Sequence, residues 1–402
     1  MGKDLKGKEL GKGITQRKDG RYFARYMDKY GQRKSLYSDS LRDIKKMLRD
    51  AIYEEEHGLS GNGINITLDD WFTKWMELYK SKTVKLTTQQ NIRAHYYSRI
   101  SKNIGKMYLK DIKTIHVQKL FNDLLDIGLS VSTVQNFKII LKDMLRRAVQ
   151  NEYILKNPCD GVELPIVPTT ESRVLTVAEQ QKFFEFAESY VHINVLKLTL
   201  LTGMRIGEVL GLQWTDIDFE NRKINIDKTL HYGEGRVEDR RYVFFYTTVK
   251  TSAGKRMLPM SEEAYEVLQN QKDKQQKARL RNKGAWDAIE GFENLVFLGV
   301  KGKPIKISTM NDTIKLYVQK INVYEHELAK EEGREPVEFK HFTCHSLRHT
   351  FTTRCYEQGV PDKVLQKLLG HASVETTMNI YTHATQDSQA IAMDQVNIMG
   401  KE

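Results

Sequence analysis

The stretch His345-Ser346-Leu347-Arg348, followed by Leu368-Leu369-Gly370-His371 and then Tyr381, decides how the rest of the chain is read. On a helix, His345 and Arg348 share one face, because residues three apart are neighbours there. Arginine offers a planar, permanently charged fork of donors that matches phosphate oxygens. Histidine titrates near neutrality and can take or give a proton. Far upstream, Thr202-Gly203-Met204-Arg205-Ile206-Gly207-Glu208 sets a second arginine at a helix start, with Glu208 placed to orient it or a neighbouring cation. Two Arg, two His and one Tyr are the groups needed to attack a phosphodiester and hold its charge without a metal. His371 follows Gly370, a residue type that ends helices. A straight helix would hold His371 and Tyr381 roughly 15 Å apart, so a turn after Gly370 is expected.

A metal site competes for the same residues. His345 and His349 are four apart, with Cys344, Cys355 and His371 near in sequence. Position 346 is Ser, however, so the glutamate of a His-Glu-x-x-His zinc motif is missing, and no Cys-x-x-Cys pair accompanies it. Clustered carboxylates of the two-metal kind do not stand out either. No metal and no cofactor is expected, and His349 reads as a packing or hydrogen-bonding neighbour.

The formal charge of +11 over 402 residues is unevenly spread: residues 1–60 carry +5, residues 61–170 carry +6, and the remainder is neutral. A basic front with a balanced rear is the footprint of a protein that binds a polyanion with its first half. Hydrophobic residues make up 40%, enough for packed cores. Three cysteines (Cys159, Cys344, Cys355) suit a reducing compartment. Met1-Gly2-Lys3-Asp4-Leu5-Lys6 shows no apolar signal core, and Lys197 interrupts the apolar patch Val195–Leu201. A cytoplasmic protein without a membrane partner is expected.

Residues 14–37 read as strands joined by turns at Asp19-Gly20 and Lys29-Tyr30-Gly31. A helix capped by Ser38 or Ser40 then runs to about His57. Arg17, Arg21, Arg25, Arg33 and Lys34 interleave with Tyr22, Phe23 and Tyr26, and a small sheet of this kind can enter a major groove. Three glycines between Gly58 and Gly63 mark a linker. Helical spacing follows from Thr67, with further helices over Thr114–Ile127 and Ser132–Asn151. Asn157-Pro158 and the stretch Leu164–Thr170 read as a second boundary. Beyond it the pattern is mixed: helices over Val177–Tyr190, Ile193–Leu201 and from Ser261 to Arg281, and strands over Lys223–Asp227, Tyr242–Thr248 and Arg256–Pro259. The expected fold is multidomain: a small three-stranded β-sheet plus helix head, an all-α middle domain, and a mixed, mainly α, C-terminal domain with a small β-sheet. The expected domains are residues 1–60, 65–160 and 173–402, with linkers over 61–64 and 161–172.

Arg205, His345 with Arg348, Leu368-Leu369-Gly370-His371 and Tyr381, in this order, resemble the tyrosine recombinase family of phage and transposon integrases. The closest likeness is to integrases of integrative conjugative elements. The resemblance covers essentially the whole chain and implies an arm-type DNA-binding head, a helical core-binding domain and a catalytic domain with a C-terminal tail. It implies a site-specific recombinase that cuts and rejoins double-stranded DNA through a 3′-phosphotyrosyl intermediate, integrating and excising a mobile element. Tyr381 would be the nucleophile, with Arg205, His345, Arg348 and His371 around the phosphate and Glu208 at the family's acidic position behind them. The family's hairpin lysine matches Lys250, with Lys255 and Arg256 as rivals. Arg17, Arg21, Tyr22, Arg25, Arg33 and Lys34 would contact arm DNA. A tetramer on arm sites and core crossover sites, helped by excision and bending proteins, is the implied assembly. Type IB topoisomerase-like relaxation and a non-catalytic DNA-binding regulator are the alternatives. A separate head argues against the first, and a complete set of reactive residues against the second.

Overall fold

The computed structural model describes residues 2–27, 31–56, 66–166, 173–234, 242–249, 252–371 and 373. The chain divides into two compact units, Met1–Thr169 and Thr170–Glu402.

The first unit opens with short paired strands β1 (Gly2–Lys3) and β2 (Glu9–Gly11). A three-stranded antiparallel sheet follows, β3 (Ile14–Gln16), β4 (Tyr22–Met27) and β5 (Arg33–Ser38), with β4 in the middle. Gly20 takes a φ of 87° in the expected Asp19-Gly20 turn, a left-handed conformation that glycine adopts without strain. The other expected turn falls partly on residues outside the described ones. Helix α1 (Leu41–Glu56) is capped by Ser40, whose Oγ accepts from the Asp43 amide at 3.3 Å. Its Ile44 and Leu48 pack with Ile14 and Ala24 to form the core of this sheet.

Sheet parity divides the head's residues. Tyr22, Ala24 and Tyr26 stand opposite Ser38, Leu36 and Lys34, and Tyr22, Tyr26 and Leu36 pack on the α1 core. Phe23, Arg25 and Met27 stand opposite Tyr37, Ser35 and Arg33 on the other face. There the Phe23 and Tyr37 rings lie 5.0 Å apart, with Arg17 over Tyr37 and Arg25 over Phe23.

Residues 66–166 are helical: α2 (Leu68–Trp75), α3 (Leu86–His95), α4 (Ser101–Ile104), α5 (Thr114–Asp126) and α6 (Val131–Gln150). Helices α2 and α3 each run on through a π-type turn, Met76–Lys80 and Tyr96–Ile100. The cap of α6 is Ser130, two residues before the expected start. Trp71, Phe72 and Trp75 fill the core, and Trp71 Nε1 donates to the Met144 carbonyl at 3.0 Å.

The second unit contains α7 (Val177–Phe186), α8 (Ile193–Thr202) and the short α9 (Ile206–Leu210). Strands β6 (Ile217–Asp218), β7 (Lys223–Ile226), β8 (Lys228–Glu234), β9 (Tyr242–Thr248) and β10 (Arg256–Pro259) follow. They form two separate sheets, β10-β7-β6 and the ribbon β8-β9. Strand β8 and the 26-residue helix α11 (Ile307–Glu332) were not anticipated from sequence. Helices α10 (Glu262–Arg281), α12 (Cys344–Glu357) and α13 (Asp362–Leu369) complete the unit. Helix α7 ends four residues earlier than expected. Helix α8 is apolar around most of its circumference and packs against both α10 and α12, as a central core helix must. No described helix is long and apolar enough to cross a membrane.

Candidate active site

Four backbone segments meet at the site. Helix α8 ends at Gly203, whose φ of 61° is left-handed. A Cβ built there would stand 2.2 Å from the Phe351 ring, so both the conformation and the packing demand glycine. The chain then turns into α9 with Arg205 as its N-cap. Glu208, at the third helical position, accepts from the Arg205 amide at 3.1 Å and from Arg205 Nη1 at 2.8 Å. A carboxylate in a first helical turn is favoured by the exposed amides.

Arg348 lies in α12 with 1% of its surface exposed. Its Nη1 donates to the Gly203 carbonyl at 2.5 Å, and its Nη2 donates to the Leu369 carbonyl at 2.8 Å and to His371 Nε2 at 2.7 Å. A guanidinium can only donate, so Nε2 of His371 accepts and its ring proton sits on Nδ1. Gly370 ends α13 in the left-handed region, φ 65°, the helix end expected there. The His371 amide also donates to the Gln366 carbonyl, and its carbonyl accepts from Gln366 Nε2.

A third arginine enters from β10. Arg256 Nη2 donates to Glu208 Oε2 at 3.0 Å, and its Nε donates to the Leu368 carbonyl at 2.7 Å. Arg205, Arg256 and Arg348 thus surround one buried carboxylate, an excess of two positive charges among these described residues. Burial opposes ionisation of Glu208, but Arg256 and Arg205 outweigh it and hold the carboxyl below its usual range. Burial, with Arg205 beside it, pushes Arg348 down to about 9, so it stays cationic at neutral pH. Burial and then Arg348, Arg205 and Arg256 push His371 down to about 4, and His371 is neutral near pH 7.

His345 precedes Arg348 by three residues on α12. Loss of water and the nearby Arg348 and Arg205 hold it below its ordinary value. His349 packs edge-on against it, ring centres 4.4 Å apart. Burial, His345 and Arg348 bring His349 to about 4, and its Nδ1 has no hydrogen-bond partner among the described residues.

Of the expected residues, the structure gathers Arg205, Glu208, Arg348 and His371 directly and brings His345 within electrostatic reach of both arginines. Lys250 and Tyr381 lie outside the described residues, as do the turn expected to bring Tyr381 towards His371 and the C-terminal tail. Lys255 is exposed, and Arg256 is turned inward. Arg256 is the member that sequence reading undervalued. Its signal was its place beside the expected lysine, which marked it only as a rival. Among the described residues, no three His, Cys, Asp or Glu side chains gather to hold a metal ion.

The second, mainly helical unit thus gathers three arginines, one glutamate and a neutral histidine at one site. A profile of the phage integrase family matches residues 173–388, that of the phage integrase N-terminal SAM-like domain matches residues 67–125, and that of the DNA binding domain of Tn916 integrase matches residues 1–54. The chain is 31% identical to the transposase from transposon Tn1545 of Streptococcus pneumoniae and to the transposase from transposon Tn916 of Enterococcus faecalis, each over 98% of this chain and 96% of the relative. The solved structure of the Tn1549 transposon integrase in complex with transposon right end DNA superimposes with a TM-score of 0.66 at 28% identity, over 82% of this chain and 99% of that one. A lambda integrase dimer bound to a core site shares the fold, with a TM-score of 0.53 at 20% identity, over 94% of this chain and 97% of that one. The chain belongs to the phage integrase family. It is a tyrosine site-specific recombinase, an integrase close to those of conjugative transposons.

Proposed function

We propose that this integrase cuts and rejoins double-stranded DNA through Tyr381, integrating and excising a mobile element. Arg205 and Arg348 hold the non-bridging oxygens of the scissile phosphate and neutralise the charge that grows there. His371 hydrogen-bonds the same phosphate. Tyr381 attacks phosphorus, forming a 3′-phosphotyrosyl ester and expelling the 5′-oxygen, which Lys250 protonates as general acid. His345 accepts or relays the tyrosine proton. Glu208 orients Arg205. The ester retains the energy of the broken bond, so the 5′-hydroxyl of a partner strand can reverse the step without ATP.

The observation that carries this reading is the Arg348–His371 contact within a cluster of excess positive charge. A neutral histidine held by a buried arginine is suited to a hydrogen bond with an anion, and two arginines are suited to its charge. The domain roles follow from the same reading: residues 1–60 bind arm sites, residues 65–160 and 173–402 each bind core-site DNA, and 61–64 and 161–172 are linkers. The DNA complexes solved for relatives support double-stranded DNA as the substrate. The lambda integrase tetramer on a Holliday junction supports a tetrameric working form, with excision and bending proteins as accessory partners. A cytoplasmic location suits a protein that meets chromosomal DNA.

The test is incubation with a nicked suicide core site. The wild-type chain accumulates a covalent protein–DNA adduct and Tyr381→Phe does not. An adduct that persists in Tyr381→Phe removes the assignment.

A further inference from the structure

Arg256 opens β10, and its guanidinium spans three places in the chain. Nη1 donates to the Gly254 carbonyl at 3.1 Å, Nη2 to Glu208 Oε2 at 3.0 Å, and Nε to the Leu368 carbonyl at 2.7 Å. Its side chain is 7% exposed, and that of Glu208 is 1% exposed. The two carboxylate oxygens of Glu208 divide their work. Oε1 takes the Arg205 guanidinium, while Oε2 takes Arg256 and the Arg205 amide. Removing Arg256 therefore leaves a buried carboxylate tied to Arg205 alone, and releases one of the two carbonyls that fix the end of α13. The other, Leu369, is held by Arg348. A Cβ on Gly370 would stand 2.9 Å from Arg256 Nη1, so the arginine is fitted against the turn that delivers His371.

A guanidinium whose three nitrogens all donate to protein acceptors, and which is turned from solvent, does not hand over a proton to a leaving group. Arg256 is thus poorly placed to protonate a leaving group. We propose that Arg256 is a positioning residue for strand cleavage. It holds Glu208, and through it Arg205, in register with the turn from Leu368 to His371. The proposal rests on the reading of Arg205 and His371 as phosphate-holding groups.

The test uses the full chain on a nicked core site, comparing wild type, Arg256→Ala, Arg256→Lys, Glu208→Gln and the Arg256→Ala/Glu208→Gln pair. Adduct formation in a single turnover is expected to fall about 100-fold in Arg256→Ala, the scale of an ångström-sized misplacement. Core-site affinity should stay within about threefold of wild type, because the loss lies in the reaction and not in ground-state binding. The pair should lose little more than the worse single variant, since both act on Arg205 by one route. A core site with a 5′-bridging sulfur, whose thiolate leaves without a proton, should not restore the rate. Arg256→Ala should also acquire an acid limb in its pH profile as Glu208 loses its cation, and Glu208→Gln should abolish that limb. Arg256→Lys keeps the charge but not the three bonds, and should behave like Arg256→Ala; it carries the test where Arg256→Ala does not melt cooperatively. Wild-type cleavage in a natively melting variant overturns the proposal. So does rescue by the sulfur leaving group, which makes Arg256 the acid. Cleavage that survives Arg205→Ala or His371→Ala instead overturns the phosphate reading beneath it.

Discussion

Nη2 of Arg348 lies 2.7 Å from Nε2 of His371, and the same nitrogen reaches the Leu369 carbonyl at 2.8 Å. One buried guanidinium therefore fixes both the tautomer of the histidine and the end of the helix that precedes it. Arg348→Lys retains a charge but meets at most part of this set of acceptors. Its adduct formation on the nicked core site should fall about 100-fold or more, the usual scale for losing an oriented donor at a developing charge. Core-site binding by mobility shift should be nearly unchanged. An unaltered adduct rate would remove Arg348 from the phosphate.

Acid should loosen the protein before its carboxylates titrate. His192, His349 and His371 are each brought from 6.5 to about 4, burial being the first cause. Between those values the unfolded chain binds more protons than the folded one. The stability these neutral rings contribute is thus complete above about pH 6.5 and is lost as pH falls towards 4. Melting temperature should drop between about pH 7 and pH 5, and less steeply in His371→Gln. Equal slopes for wild type and variant would contradict the burial of that ring.

Gly203→Ala combines two faults, a left-handed φ of 61° and a Cβ 2.2 Å from the Phe351 ring. Together they should cost about 3 kcal/mol in denaturant unfolding. Adding Phe351→Leu should recover the packing share and leave the backbone share. Full recovery would show that the conformation carries no strain.

In the head, the face bearing Phe23, Arg25, Arg33 and Tyr37 is the one not covered by α1. Arg25→Ala should weaken binding to an arm site about tenfold and reduce its salt dependence by about one counterion. Lys34→Ala, on the opposite face, should leave arm affinity close to wild type. A larger loss for Lys34→Ala than for Arg25→Ala would place the DNA on the other side of the sheet.

Much of this was legible from residue types. Arginines, histidines and a glutamate at helical spacing pointed to one shared site, and Gly370 announced the end of α13. Parity was less legible in the head. Tyr22 and Phe23 are adjacent aromatics, so alternation alone left unclear which faces inward, and Tyr22 packs on the α1 core. Strand β8 escaped because it continues almost directly from β7 yet pairs with β9 in a different sheet. The carbonyl acceptors of Arg348 and Arg256 carry no sequence signal at all. Any residue at 368 or 369 supplies the same oxygen, and only the fold brings it within reach.

Those two carbonyls have a further consequence. Arg256 and Arg348 grip neighbouring oxygens, Leu368 and Leu369, at the C-terminal end of α13. That end of a helix carries partial negative charge. The helix pole offsets part of the repulsion between two guanidinium groups that lie buried near each other. The cations of this site are thus kept in place by the dipole of the helix they grip.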